Sequence, residues 1–373
     1  MSPLHAPDRP RVSTQGPGAA LARRCTRWLV PVLCGLGALA HAQAPAPAPA
    51  SVGEGAARAW IERLQAAATR QSYEGTLVFS AGSVLSSSRV AHYALDGQAY
   101  EQVEAQDGRA ARSYRHNDTV VSFWPDTRVV TVGRRDETWS SPLRAVPQER
   151  LQVHYEARLL GVDLIAGRRS QVLLLAPRDE WRYAQRLWLD ASSGLMLRAD
   201  VLGPRGEVLE SSSFSAVEIG VRPQAEAVRA AMRRTAGWQV MSLPSLPVRL
   251  QDEGWSLAGL PPGFQLTGCV RKPVVTPASE PRTGADVGQA LPPGSRPETP
   301  APDTLHAVFS DGLTRVSMFI EPRQPGRPAQ SLATRLGATH TLVQPLGDQW
   351  RLVLMGDVPI TTLRRFAAAV ERR

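Results

Sequence analysis

The stretch HAVFSDGLTRVSMFIEP, residues 306–322, gathers the residue types of a serine hydrolase. Ser310 offers a hydroxyl nucleophile, Asp311 an orienting carboxylate and His306 a general base. Acyl transfer with that set needs base and nucleophile within hydrogen-bond reach. The flanking residues alternate apolar and polar, which predicts two strands. Positions i and i+4 of a strand share a face but stand about 13 Å apart, so His306 does not reach Ser310. Asp-Gly between alternating runs is instead a hairpin signal, because a type I′ turn takes positive φ at both central residues. Asp311 and Gly312 are therefore predicted to be structural, at a hairpin tip.

No other stretch supplies catalytic machinery. The sequence has no G-x-S-x-G elbow, no P-loop, no G-x-G-x-x-G after a strand and no H-E-x-x-H. His92, His116, His154, His306 and His340 are isolated from one another, whereas metal ligands come paired at strand or helix spacing. No catalytic residue, metal site or cofactor is expected, and the chain is not expected to be an enzyme.

The N-terminus carries an export pattern. Arg23, Arg24 and Arg27 precede the apolar run WLVPVLCGLGALA (28–40), and Ala40-His41-Ala42 forms an A-x-A cleavage site. Residues 1–42 are read as a signal peptide and 43–55 as a flexible tether containing APAPAPAS. The product is expected in the periplasm. Cleavage would remove five arginines and Asp8, lowering the formal charge from +9 to +5. Lys272 is the only lysine. Arginine pairs bidentately with carboxylate and phosphate, so an acidic peptide or an anionic lipid head group suits such a surface. A GC-rich genome, which favours arginine codons, explains the same bias without function. Export argues against nucleic acid. Cys25 and Cys34 leave with the signal, so Cys269 stands alone and no intramolecular disulfide is expected.

The elements that would position any site follow a simple order. An amphipathic helix is predicted over 56–71, with Trp60, Leu64, Ala67 and Ala68 at helical spacing. From Tyr73 to about Gly220 the chain reads as hairpin-linked strands, punctuated by Asp96-Gly97, Asp107-Gly108, Asn117-Asp118, Ser193-Gly194 and Arg205-Gly206. A helical or irregular stretch is placed near 143–160. The expected fold is α+β: a large curved antiparallel half-barrel over 56–220 with helices across it, a linker over 221–250, and a smaller α+β domain over 251–373. Within the last, residues 272–303 form a Pro-rich insertion with no capacity for a core. Phe79, Phe123, Trp124, Leu187, Trp188 and Met196 are candidates to line a lipid cavity, with ordinary core packing as the plainer reading of each. Arg315, Arg364 and Arg365 are candidates for partner binding.

RLLGVDLIAGRRSQVLLLAPRDEWRYAQRLWLDASSGLMLRADVLGPRGEVLE (158–210) resembles the large domain of the sigma-E regulatory RseB/MucB family. LPPGF (260–264), FSDGLTRVSMFIEP (309–322), LGATHTL (336–342) and MGDVPITTLRRFAAAVE (355–371) resemble its small domain. With YEGTLVFS near the start, the similarity spans nearly all of 56–373. It implies a LolA-like half-barrel joined to a small domain. It also implies a periplasmic negative regulator that binds the periplasmic domain of a membrane-spanning, RseA/MucA-like anti-sigma factor. Such a protein shields its partner from site-1 proteolysis and releases it on a lipid or lipopolysaccharide signal. The insertion is longer and richer in proline than expected for the family. A periplasmic lipid or lipoprotein carrier is the alternative, a hydrolase through Ser310 a distant third, and self-association is left open.

Overall fold

The computed structural model describes residues 50–108, 110–134, 148–243, 245–274, 301–323 and 330–372. The signal peptide, residues 43–49 of the expected tether and residues 275–300 of the Pro-rich insertion lie outside the described residues. No described helix is long and apolar enough to cross a membrane.

Helix α1 (Ala50–Arg70) starts six residues before the predicted helix, taking in the end of the expected tether. Six strands follow in a meander: β1 (Tyr73–Ala81), β2 (Val84–Leu95), β3 (Gln98–Ala105), β4 (Arg112–His116), β5 (Thr119–Trp124) and β6 (Val129–Arg134). At the β2–β3 turn Leu95 pairs with Gln98, and Asp96 and Gly97 both have positive φ, as a two-residue type I′ turn requires.

Helix α2 (Gln148–His154) leads directly into β7 (Tyr155–Ile165), where a longer helical or irregular stretch was expected. Then come β8 (Arg168–Pro177), β9 (Ala184–Asp190), β10 (Met196–Leu202) and β11 (Val208–Ile219). These strands close onto β1 through β11, so one sheet runs β6-β5-β4-β3-β2-β1-β11-β10-β9-β8-β7. The region read as the linker contains regular elements. It holds α3 (Ala225–Met232) and β12 (Gln239–Leu243), and β12 pairs parallel with β6 as the twelfth, edge strand. Five residues at the margin of a weak pattern gave no sign of it, because its pairing is non-local.

The apolar stripe Ala57, Ile61 and Leu64 of α1 packs on Leu173, Leu175, Leu187 and Leu189 of the sheet. Ala225 and Val228 of α3 pack on Tyr93 and Tyr100. Burial of these stripes, at roughly 25 cal/mol per Å² of apolar surface, fixes each helix to the sheet.

The small domain has a sheet ordered β13 (Leu246–Pro247), β15 (Gln265–Val274), β16 (Ala301–Ser310), β17 (Arg315–Pro322), β20 (Trp350–Gly356), β19 (Thr339–Leu346) and β18 (Leu332–Leu336). The last helix, α4 (Ile360–Ala369), lays Leu363, Phe366 and Ala367 against Phe309, Met318, Ile320 and Leu354. A two-stranded ribbon, β14 (Trp255–Leu257) with β21 (Val370–Arg372), ties the domain's start to its end. The whole is the α+β arrangement expected: a large antiparallel sheet with helices across it, then a smaller mixed domain.

Candidate functional site

Ser310 pairs with Arg315, so residues 311–314 form a four-residue loop, not the two-residue turn predicted. Only Gly312 has positive φ there (107°). The Asp311 side chain supplies what backbone geometry alone does not. Its Oδ1 accepts from the backbone N–H of Leu313 (2.9 Å) and Thr314 (2.7 Å). Ser310 Oγ donates to the Thr314 carbonyl (2.9 Å) and accepts from Gly312 N–H (3.0 Å). The hydroxyl of the hydrolase reading is thus taken up by the turn, and His306 is stacked on Phe319 (4.2 Å between ring centroids).

The loop is a plug in the large domain. Leu313 joins the cluster of Ile61, Leu151, Tyr155, Leu173 and Leu187 beneath α1. Asp311 Oδ2 accepts from the Tyr155 hydroxyl (2.7 Å) and from Arg182 Nε (2.7 Å). Both side chains of the Arg182–Asp311 pair are 0% exposed. Arg182 also bonds Asp179 and donates to the Pro262 carbonyl (2.5 Å). Its guanidinium lies 5.6 Å from the Tyr155 ring centroid and 5.2 Å from that of Phe264. Burial, reinforced by the charge of Asp311, pushes the Tyr155 phenol well above its ordinary range, so it remains a hydrogen-bond donor. A buried ion pair survives when its remaining hydrogen-bonding capacity is met, and this one meets it from both domains.

Three further contacts run along the same seam. Thr362 at the start of α4 donates to the Trp181 carbonyl (2.8 Å). Gly263 (φ 85°) abuts His154, where a Cβ would collide with the imidazole. Burial, with the nearby Arg182 charge, lowers the His154 pKa. The β18–β19 turn rests on the large sheet: Gly337 lies against Ala81 and the Leu209 carbonyl, and Ala338 packs with Tyr183 and Leu209.

The six cavity candidates fall in different places. Leu187 and Met196 lie together under α1. Trp188, the next residue along β9, belongs to a separate cluster with Phe214 and Leu197, and its Nε1 donates to Asp163 (2.9 Å). Phe123 packs with Val130 and Trp238. Trp124 and Phe79 are half-buried, Phe79 opposite Ser86 and Ser212. Adjacent strand residues point to opposite faces, so these six do not form one wall. Arg364 and Arg365 are exposed on α4, whereas Arg315 is half-buried beside the plug. Tyr155, Arg182 and Thr362, which hold the seam, carried no sequence signal. Arg182 and Asp311 are 129 positions apart. Among the described residues, no group of three or more His, Cys, Asp or Glu side chains could hold a metal ion.

Residues 56–232 match the MucB/RseB N-terminal domain and residues 249–371 the MucB/RseB C-terminal domain. The chain belongs to the MucB/RseB family. It is 28% identical over 321 residues to the sigma factor AlgU regulatory protein MucB of Pseudomonas aeruginosa, covering 83% of this chain and 89% of that protein. It is 24% identical over 318 residues to the sigma-E factor regulatory protein RseB of Escherichia coli K12, covering 85% and 91%. The crystal structure of MucB in complex with MucA(peri) superposes with a TM-score of 0.60 at 24% identity, covering 85% of this chain and 99% of that one. The Pseudomonas aeruginosa MucA/MucB complex gives a TM-score of 0.62 with the same identity and coverage. These structures share the fold of this MucB/RseB chain across both domains.

Proposed function

We propose that this chain is a periplasmic negative regulator of a sigma-E-type envelope stress response. It binds the periplasmic domain of a membrane anti-sigma factor and keeps the site-1 protease from cutting it. The observation that carries this reading is the family match over both domains, in order, together with a solved relative described in complex with MucA(peri). The seam supports it physically. A plug buried in the large domain sets one relative placement of the two domains, so a partner touching both meets a preformed surface and loses less ordering entropy on binding. The exposed arginines of α4 suit acidic segments of such a partner. Lipid or lipopolysaccharide release belongs to the same reading and rests on the family resemblance. The carrier alternative gains no support from the six candidate positions: Leu187 and Met196 share one cluster, Trp188 and Phe123 belong to two others, and Phe79 and Trp124 are half-buried outside them.

The test is capture of the mature chain by the immobilised periplasmic segment of the organism's own anti-sigma factor, followed by digestion of that segment with the site-1 protease. Saturable binding and slower cleavage are expected, both reversed by lipopolysaccharide. Absence of binding by the full mature chain would overturn the proposal.

A further inference from the structure

A concavity of about 320 Å³ in the small domain is lined by Trp255, Leu346, Gly347, Asp348, Gln349, Trp350 and Arg372. Its walls come from the β19–β20 turn and the β14–β21 ribbon. Trp255 and Trp350 meet edge to face, 5.5 Å between ring centroids and 88° between planes. The Arg372 guanidinium lies 5.5 Å from the first ring centroid and 5.2 Å from the second. Both distances fall within the range of cation–π attraction, which positions the guanidinium without using up its N–H donors. Beyond its backbone pairing in the ribbon, Arg372 has no ion-pair or hydrogen-bond partner for its guanidinium among the described residues. The Asp348 carboxylate, in the same concavity, is likewise without one, its backbone carbonyl alone accepting from Arg323. The turn leaves the site open: a Cβ on Gly347 would meet nothing within 4 Å.

An unpaired planar cation, an unpaired carboxylate and apolar walls in one small concavity define a ligand with complementary parts. We infer that this pocket binds a carboxylate carried next to an N–H and an apolar side chain, the chemistry of a peptide's carboxy-terminal residue or of a free amino acid. The carboxylate pairs with the fork of Arg372, the neighbouring N–H donates to Asp348, and the side chain packs on Trp255, Trp350 and Leu346. Asp348 disfavours a phosphate, whose second charge it repels. The volume is that of a small ligand site.

The experiment is an NMR titration of the ¹⁵N-labelled mature chain, following the indole N–H resonances of Trp255 and Trp350, assigned with Trp255→Phe and Trp350→Phe. The probes are N-acetyl-leucine, N-acetyl-leucinamide and free leucine. N-acetyl-leucine should shift both resonances saturably, and the amide, lacking the charge, should bind about tenfold more weakly. Arg372→Gln should weaken N-acetyl-leucine by about tenfold, and Arg372→Lys, which keeps the charge but loses the fork, by less. Unchanged amide exchange protection of β14 and β21 in unliganded Arg372→Lys shows that the ribbon is intact. Tighter binding of free leucine than of N-acetyl-leucine identifies an amino acid as the source, and the reverse a peptide terminus. Equal binding of acid and amide, no effect of Arg372→Gln, or no shift with any probe would overturn the assignment.

Discussion

At the scale of single residues, Asp311 does two jobs with one carboxylate. One oxygen closes its own loop and the other accepts from Tyr155 and Arg182 in the opposite domain. Asp311→Ala leaves the guanidinium of Arg182 buried with only Asp179 and the Pro262 carbonyl. Removing one member of a buried ion pair costs about 3–5 kcal/mol. Urea denaturation of the variant should show a loss of that size, whereas Ser310→Ala, which removes two local hydrogen bonds, should cost about 1–2 kcal/mol. Equal stability of Asp311→Ala and the parent chain would show that the pair contributes nothing net. The sequence marked Asp311 as a turn residue, and it is one. Its second role was illegible, because a residue's long-range partner leaves no trace in its neighbours.

Among the elements, the β16–β17 hairpin ends in a leucine buried in the opposite domain. Leu313, 2% exposed, packs under α1, so a strand pair of the small domain helps complete the core of the large one. Leu313→Ala should cost about 2–5 kcal/mol, the usual range for a buried leucine truncated in a packed cluster. Hydrogen exchange should localise that loss, with faster exchange in α1 and β8 as well as in the hairpin. Exchange confined to the small domain would place Leu313 outside the large domain's core. Strand periodicity and Asp-Gly turns made most of the meander readable, β2 to β3 above all. The same local signals missed β12 and the early start of β7, whose places depend on pairing with β6 and β8.

At the scale of the whole molecule, the seam carries a charge that should make stability depend on pH. Burial, with the nearby charge of Asp357, pushes the Glu210 pKa up to about 7, against a bond to the Ala338 backbone N–H that lowers it. Between the ordinary glutamate value of 4.5 and about 7, the folded chain holds a proton that the unfolded chain has released. The stability this provides is full below the unfolded value and is lost as pH rises through the folded one. Denaturation curves should therefore show about 1–2 kcal/mol lost between about pH 5 and pH 8, and Glu210→Gln should flatten that slope. An unchanged slope in the variant would assign the dependence to other groups.

The chain by itself determined the strand-rich meander, the helices that cover it, and the resemblance that places it in the MucB/RseB family. These are properties of local pattern: alternation, turn chemistry and motif order act over a few neighbouring positions. Only the tertiary structure decided that the Ser-Asp-Gly tip is a buried plug and that the expected linker contributes an edge strand. The same holds for the six apolar candidates, which do not gather on one wall, and for Arg372, which faces an open concavity. Each of these depends on side chains brought together from distant positions, where burial and charge act through space and not along the chain.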